Sequence, residues 1–174
     1  MSKLKLKKEL NNMSREQLID IILSAYDARK ETKEYFEFFI NPDVFAMMTK
    51  LEDAIIKECR KGKRGYAKFR ISQIKNINKD FQGLNPGPEY VVQLMLASLV
   101  HLVRTTLYLY VSDAQYDSII RFAKDTLAYA DKTGQFPQTV TSMLELANSE
   151  SLEGRYIRHA LVSTIEDYQT TLNH

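Results

Sequence analysis

Tyr90 to Val111 reads YVVQLMLASLVHLVRTTLYLYV, and the fold turns on what covers this stretch. Its length suits either a membrane span or a core helix. Gln93, His101 and Arg104 decide between the two. Arg104 near the middle of a bilayer would cost roughly 3 kcal/mol or more, so no membrane insertion is expected. At about 100° per residue the three polar side chains share one narrow face, which leaves most of the helix circumference to be covered by neighbours. The stretch is therefore read as a central helix opened by Pro88 and running to about Val111.

The flanking sequence supplies helices to surround it. Ser14 with Gln17, and Ser112 with Gln115, have capping-box spacing, in which each side chain satisfies an orphan amide of the other. Behind Ser14, Leu18, Ile21, Ile22, Ala25 and Arg29 recur at helical spacing. Nothing breaks the chain before Pro42, so one helix can run from Arg15 to about Ile40, unless it breaks near the polar run Lys30–Lys33. Asn41-Pro42-Asp43 reads as a helix start, with Asn41 as cap and Pro42 at the first helical position. Val44, Met48, Leu51, Ile55 and Cys59 then form a stripe that ends at Gly62, and Gly62 and Gly65 bracket a tight basic turn. A further helix is expected over Ala67 to Phe81, with Ile71, Ile74, Ile77 and Phe81 inward. Ser112 to about Thr133 is another, closed by Gly134 in the left-handed region. A short helix follows Phe136-Pro137, and a last one carries Ile157, Leu161, Ile165, Tyr168 and Leu172.

No pair of alternating runs flanks a hairpin turn, so strands are not expected. The fold class is all-α, with seven or eight mostly antiparallel helices as a bundle or short curved array. The chain of 174 residues is read as one domain, with the loop 83–88 (GLNPGP) as the only place for a subdomain boundary. A single cysteine gives no internal disulfide, and Met1 to Glu9 lacks the apolar core of a secretory signal. A cytoplasmic location is expected.

The order SREQLIDIILSAYDARKETKEYFEFFINPD, residues 14–43, resembles the N-terminal half of an uncharacterised family of small bacterial helical proteins of unknown function. Ser14 to Leu18, Tyr26-Asp27, Glu34 to Phe36 and Asn41-Pro42-Asp43 carry the resemblance. It implies a cytosolic bacterial helical domain. It carries over no catalytic residue.

Charge supplies the first candidate site. Nine of the 24 Lys and Arg residues lie between Lys57 and Lys79, with Glu58 the only acid, so that window carries +8 in a chain of net charge +2. Lys57, Arg60, Lys61, Lys63, Arg64, Lys68, Lys75 and Lys79 are candidate contacts for an anion or nucleic acid. On a helical wheel Lys75 and Lys79 fall within some 20° of Lys68, opposite the apolar face. The plainer reading is a solvated face with cations gathered at a helix C-terminus. The dense aromatic run Tyr35, Phe36, Phe38 and Phe39, with Phe45, cannot all face one core, and is a candidate interface with a protein partner or a second copy.

His101 and Arg104 are neighbours three apart on one helix, which makes His101 a candidate base or ligand. No metal-ligand spacing accompanies it. Cys59 lies in register with an apolar stripe and reads as a buried, inert thiol. Asp20, Asp27, Glu31 and Glu34 alternate with lysines in the way helix ion pairs do. No nucleophile–base set, metal spacing or cofactor loop is visible, so no cofactor is expected and a non-enzymatic helical interaction protein, scaffold or regulatory, leads. A nucleic-acid-binding module using residues 57–79 is the alternative, and a small enzyme with a site near His101 the second.

Overall fold

In a computed structural model the protein is all-α, 80% helical, with nine helices and one small two-stranded sheet among the described residues. Residues 2–62 and 65–172 are described. They form two compact units, Met1–Asp43 and Val44–His174.

The smaller unit holds α1 (Lys3–Leu10), α2 (Arg15–Ala28) and α3 (Lys30–Ile40). Helix α1 was not foreseen; the Ser2 hydroxyl caps it by accepting from the Lys5 amide at 3.3 Å. The capping box of α2 forms as expected, with Ser14 Oγ accepting from the Gln17 amide at 3.2 Å and the Ser14 amide donating to Gln17 Oε1 at 2.9 Å. The continuous helix from Arg15 to Ile40 does not form. Arg29 is extended (φ −142, ψ 128), which ends α2 one residue before the polar run and lets α3 turn back and pack on α2. Asn41 terminates α3 rather than starting the next helix, and α4 begins only at Val44, beyond Pro42.

The larger unit comprises α4 (Val44–Glu58), β1 (Cys59–Lys61), β2 (Ala67–Phe69), α5 (Ile71–Gly83), α6 (Pro88–Tyr108), α7 (Asp113–Lys132), α8 (Phe136–Ala147) and α9 (Tyr156–Leu172). A 3-10 turn at Glu150–Leu152 precedes α9. Helix α6 is the hub: it touches α4, α5, α7 and α8, while α9 packs on α7 and α8. Eight of its side chains are buried, Val91, Val92, Leu94, Ser98, Leu99, Leu102, Val103 and Thr106. By length and composition alone α6 would also pass for a membrane span. Instead it joins Ile55, Ile74, Phe81, Ile119, Phe122, Leu127, Met143, Leu161 and Ile165 in one core. Gln93 and Arg104 stay exposed and His101 half-buried on the expected narrow face.

The helix ends follow local chemistry. Gly134 (φ 74) closes α7 with a Schellman pair, the Gln135 amide bonding Ala130 O at 2.7 Å and the Gly134 amide bonding Asp131 O at 3.2 Å. At the other end of α7, the Ser112 amide and hydroxyl both donate to Gln115 Oε1, at 3.0 and 3.1 Å.

The largest departure lies between residues 59 and 70. The expected helix over Ala67 to Phe81 starts only at Ile71, α4 stops at Glu58 rather than near Gly62, and the segment between them pairs as an antiparallel hairpin. Two glycines permit it. Gly65 adopts φ +83, and a Cβ on Gly62 would lie 3.0 Å from Tyr66 O. The absence of strands was thus a wrong expectation over six residues.

Leu99 is fully buried at the centre of this core. Leu99→Ala should cost about 2–5 kcal/mol, read as a fall in the urea unfolding midpoint at unchanged slope.

Candidate functional site

The hairpin redistributes the basic segment. Lys57 ends α4, Arg60 and Lys61 lie on β1, Lys68 on β2, and Lys75 and Lys79 on α5; all six are exposed. Lys63 and Arg64 lie outside the described residues. Lys68 therefore does not share a helical stripe with Lys75 and Lys79, because the helix that would align them has not yet begun. Two cations of the window, Lys75 and Arg70, are already paired. Lys75 Nζ is 2.7 Å from Asp125 Oδ2, and Arg70 holds Glu58 through Nη2 to Oε1 at 2.9 Å together with Nε to Oε2.

What remains unneutralised is concentrated on the hairpin. Register places Arg60 opposite Lys68, Cys59 opposite Phe69 and Lys61 opposite Ala67. Side chains alternate across a strand, so Ala67 and Phe69 turn inward while Lys68 and Tyr66 share the outer side with Arg60. Burial agrees: Ala67 is buried, Cys59 and Phe69 are half-buried, and Arg60, Tyr66 and Lys68 are exposed.

Residues after α6 lock this hairpin in place. The Ala67 amide donates to Tyr110 O at 2.8 Å and the Tyr110 amide to Gly65 O at 3.2 Å, so residue 110 acts as a short parallel partner of Tyr66. Gln115, already engaged at the cap of α7, donates from Nε2 to Ala67 O at 3.0 Å. Tyr66 and Tyr110 meet edge to face with ring centroids 4.8 Å apart. Tyr108 and Tyr110 read in the sequence only as the end of the apolar stretch. Their signal was aromatic rings continuing past the last residue that the helix core needs.

Behind the hairpin, a depression of about 300 Å³ brings together Cys59, Ile56 and the last turns of α6, with His101, Arg104, Thr105, Tyr108 and Leu109. His101 Nε2 lies 2.8 Å from Glu52 Oε1 on α4, a partner 49 residues away that spacing could not reveal. Thr105 donates to His101 O at 2.8 Å. Burial pushes the Cys59 thiol up to about 11, with Glu58 adding in the same direction and a hydrogen bond to Thr105 opposing. Cys59 therefore stays protonated near neutrality, which makes it a poor nucleophile there. Among the described residues no three His, Cys, Asp or Glu side chains gather as a metal site requires.

The aromatic candidates divide between the units. On α3, Phe38 is buried, Phe36 half-buried, and Tyr35 and Phe39 are exposed; Phe45, on α4, is exposed and meets Tyr90 edge to face at 6.2 Å. The acids Glu34 and Glu37 pair along α3 with Lys30 and Lys33, at 3.6 and 3.8 Å.

Residues 1–168 match the model of a family of unknown function, DUF6155, and the chain belongs to that family. No curated protein and no solved structure matches it.

The raised thiol pKa has a measurable outcome. At pH 8 Cys59 should react with iodoacetamide at least about 100-fold more slowly than a free thiol, with the rate still climbing toward pH 11. Because the folded value lies above the ordinary thiol value of 9.0, stability tied to this group is complete below pH 9 and is lost as pH rises toward 11.

Proposed function

We propose that this member of the DUF6155 family is a non-enzymatic helical interaction protein of the cytoplasm, working through the α2–α3 unit and self-associating there. The observation that carries the reading is the mismatch between the apolar surface of that unit and what it buries. Helices α1 and α2 bury no side chain, and α3 buries Phe38 alone. Ile19, Ile21, Ile22, Leu23, Tyr35, Phe39 and Ile40 are exposed, Phe39 at 71% and Ile40 at 78%.

Helical spacing explains why one neighbour is not enough. At about 100° per residue, Ile21, Ala25, Leu18, Ile22, Tyr26, Ile19 and Leu23 span an arc of about 200° around α2, wider than the stripe one packed helix covers. Tyr35, Phe39, Phe36 and Ile40 likewise span about 140° of α3, with Phe38 about 60° beyond Tyr35. A unit of 43 residues lies near the length below which chains need a disulfide, a metal or association to be stable. The lone cysteine lies outside it.

A second copy is a fitting occupant because the unit carries eight basic and eight acidic residues, so two copies do not repel. Ion pairs within α3, Lys30 with Glu34 and Lys33 with Glu37, leave the apolar positions as its distinctive surface. A scaffold or regulatory role follows from such a surface, since it binds without chemistry.

Light scattering at high micromolar concentration should give twice the 20.2 kDa chain mass. Ile22→Asp combined with Phe39→Asp should return the monomer mass with helix content retained. A parent protein that stays monomeric under those conditions overturns self-association.

A further inference from the structure

The outer face of the hairpin juxtaposes two cations with no acid between them. Arg60 and Lys68 are direct cross-strand partners, both exposed, and neither makes an ion pair among the described residues. Like charges directly opposite one another are destabilising, so the pairing costs stability that an anion would restore. The acid best placed to neutralise them, Glu58 next to β1, is held on both oxygens by Arg70. Beside the cations lie two rings that meet edge to face and are otherwise largely open to water. Tyr66 is 52% exposed and Tyr110 64% exposed.

The rings and cations are held by backbone, not by long flexible side chains alone. The Gly62 amide bonds Tyr66 O at 2.7 Å, and the bonds from the Ala67 amide to Tyr110 O and from the Tyr110 amide to Gly65 O fix one ring beside the other. Cations at the edge of ring faces fixed in this way meet the two needs of an unpaired nucleotide, a stacking surface for the base and a counter-charge for the phosphate.

We propose that the outer face of the β1–β2 hairpin, formed by Arg60, Lys68, Tyr66 and Tyr110, binds single-stranded nucleic acid. Arg60 and Lys68 take successive phosphates, and a base stacks on each tyrosine. Unpaired strands are favoured over duplex because stacking needs bases whose faces are free. An anionic bilayer would want an aliphatic tip to insert, and an acidic peptide would use the charges without the rings. The site is independent of the α2–α3 surface, so either proposal can fail alone.

The test is fluorescence anisotropy of a labelled oligo(dT) of about 15 nucleotides at about 100 mM salt, where non-specific charge attraction alone is weak. The same protein is titrated with a duplex of equal length, poly-glutamate and phosphatidylglycerol vesicles. Oligo(dT) should bind tightest. Tyr66→Leu and Tyr110→Leu should each weaken binding by about 5- to 100-fold, whereas Tyr66→Phe, which keeps the ring, should retain it. Arg60→Gln with Lys68→Gln should lower the slope of log affinity against log salt by about 1.4, two contacts at about 0.7 each. Circular dichroism of every variant should match the parent. Absence of oligo(dT) binding overturns the proposal. So does equal or tighter binding of duplex, poly-glutamate or vesicles, or loss of binding in Tyr66→Phe to the same degree as in Tyr66→Leu.

Discussion

A helix that is apolar around most of its circumference has to be surrounded, and α6 imposes that demand on the rest of the larger unit. Four helices pack directly on it, and α9 closes the far side of two of them. The demand also governs the polar groups trapped inside. Thr106, Thr126, Thr139 and Thr164 each return their hydroxyl to a carbonyl one turn back, at 2.7 to 2.9 Å. Such local bonds let a hydroxyl enter the core without a partner on another helix. Between α5 and α6 the arrangement differs. Asn78 donates to Ile74 O and to Ser98 Oγ, both at 2.9 Å, and Ser98 passes its own proton to Leu94 O at 2.8 Å. The Asn78–Ser98 bond ties the two helices in one register, since a slip of either would break the link between two buried polar side chains.

What was legible in the sequence was what depends on neighbours in sequence. The apolar arc of α6, the capping box at Ser14 and the left-handed stop at Gly134 each involve residues within a few positions. Their physics is the same in any surroundings. The break at Arg29 was only half legible. No Gly or Pro marks it, and it costs α2 little to end there because none of its side chains is buried in the first place. The hairpin was not legible at all, because its inner edge is completed by residue 110 and by Gln115, far along the chain. Ile71, Ile74, Ile77 and Phe81 genuinely carry a helical stripe, and nothing local says that it should not extend back to Ala67.

The candidate sites show the same divide. Periodicity placed His101 beside Arg104 correctly, yet the partner at hydrogen-bonding distance is Glu52. Counting charge found the basic window but not its distribution. Folding couples Lys75 to Asp125 and Arg70 to Glu58, and so neutralises two cations that a sequence count treats as equal to the rest. The surviving field is smaller and more localised than the +8 of the window suggests. The aromatic run of α3 was read as too dense for one core, and Phe38 alone is buried there.

The bridge between Gly65 and Tyr110 also sets an order of events. It closes a loop that spans all of α5 and α6, and the entropy of closing such a loop is repaid only by contacts made afterwards. The hairpin therefore gains its fixed place after the helices around α6 have assembled, and it contributes little to their assembly. Two backbone hydrogen bonds and the amide of Gln115 join β2 to the chain beyond α6, while Leu99 and its neighbours hold the core. The place of the hairpin thus rests on a few directional bonds, and that of the helical body on buried apolar area.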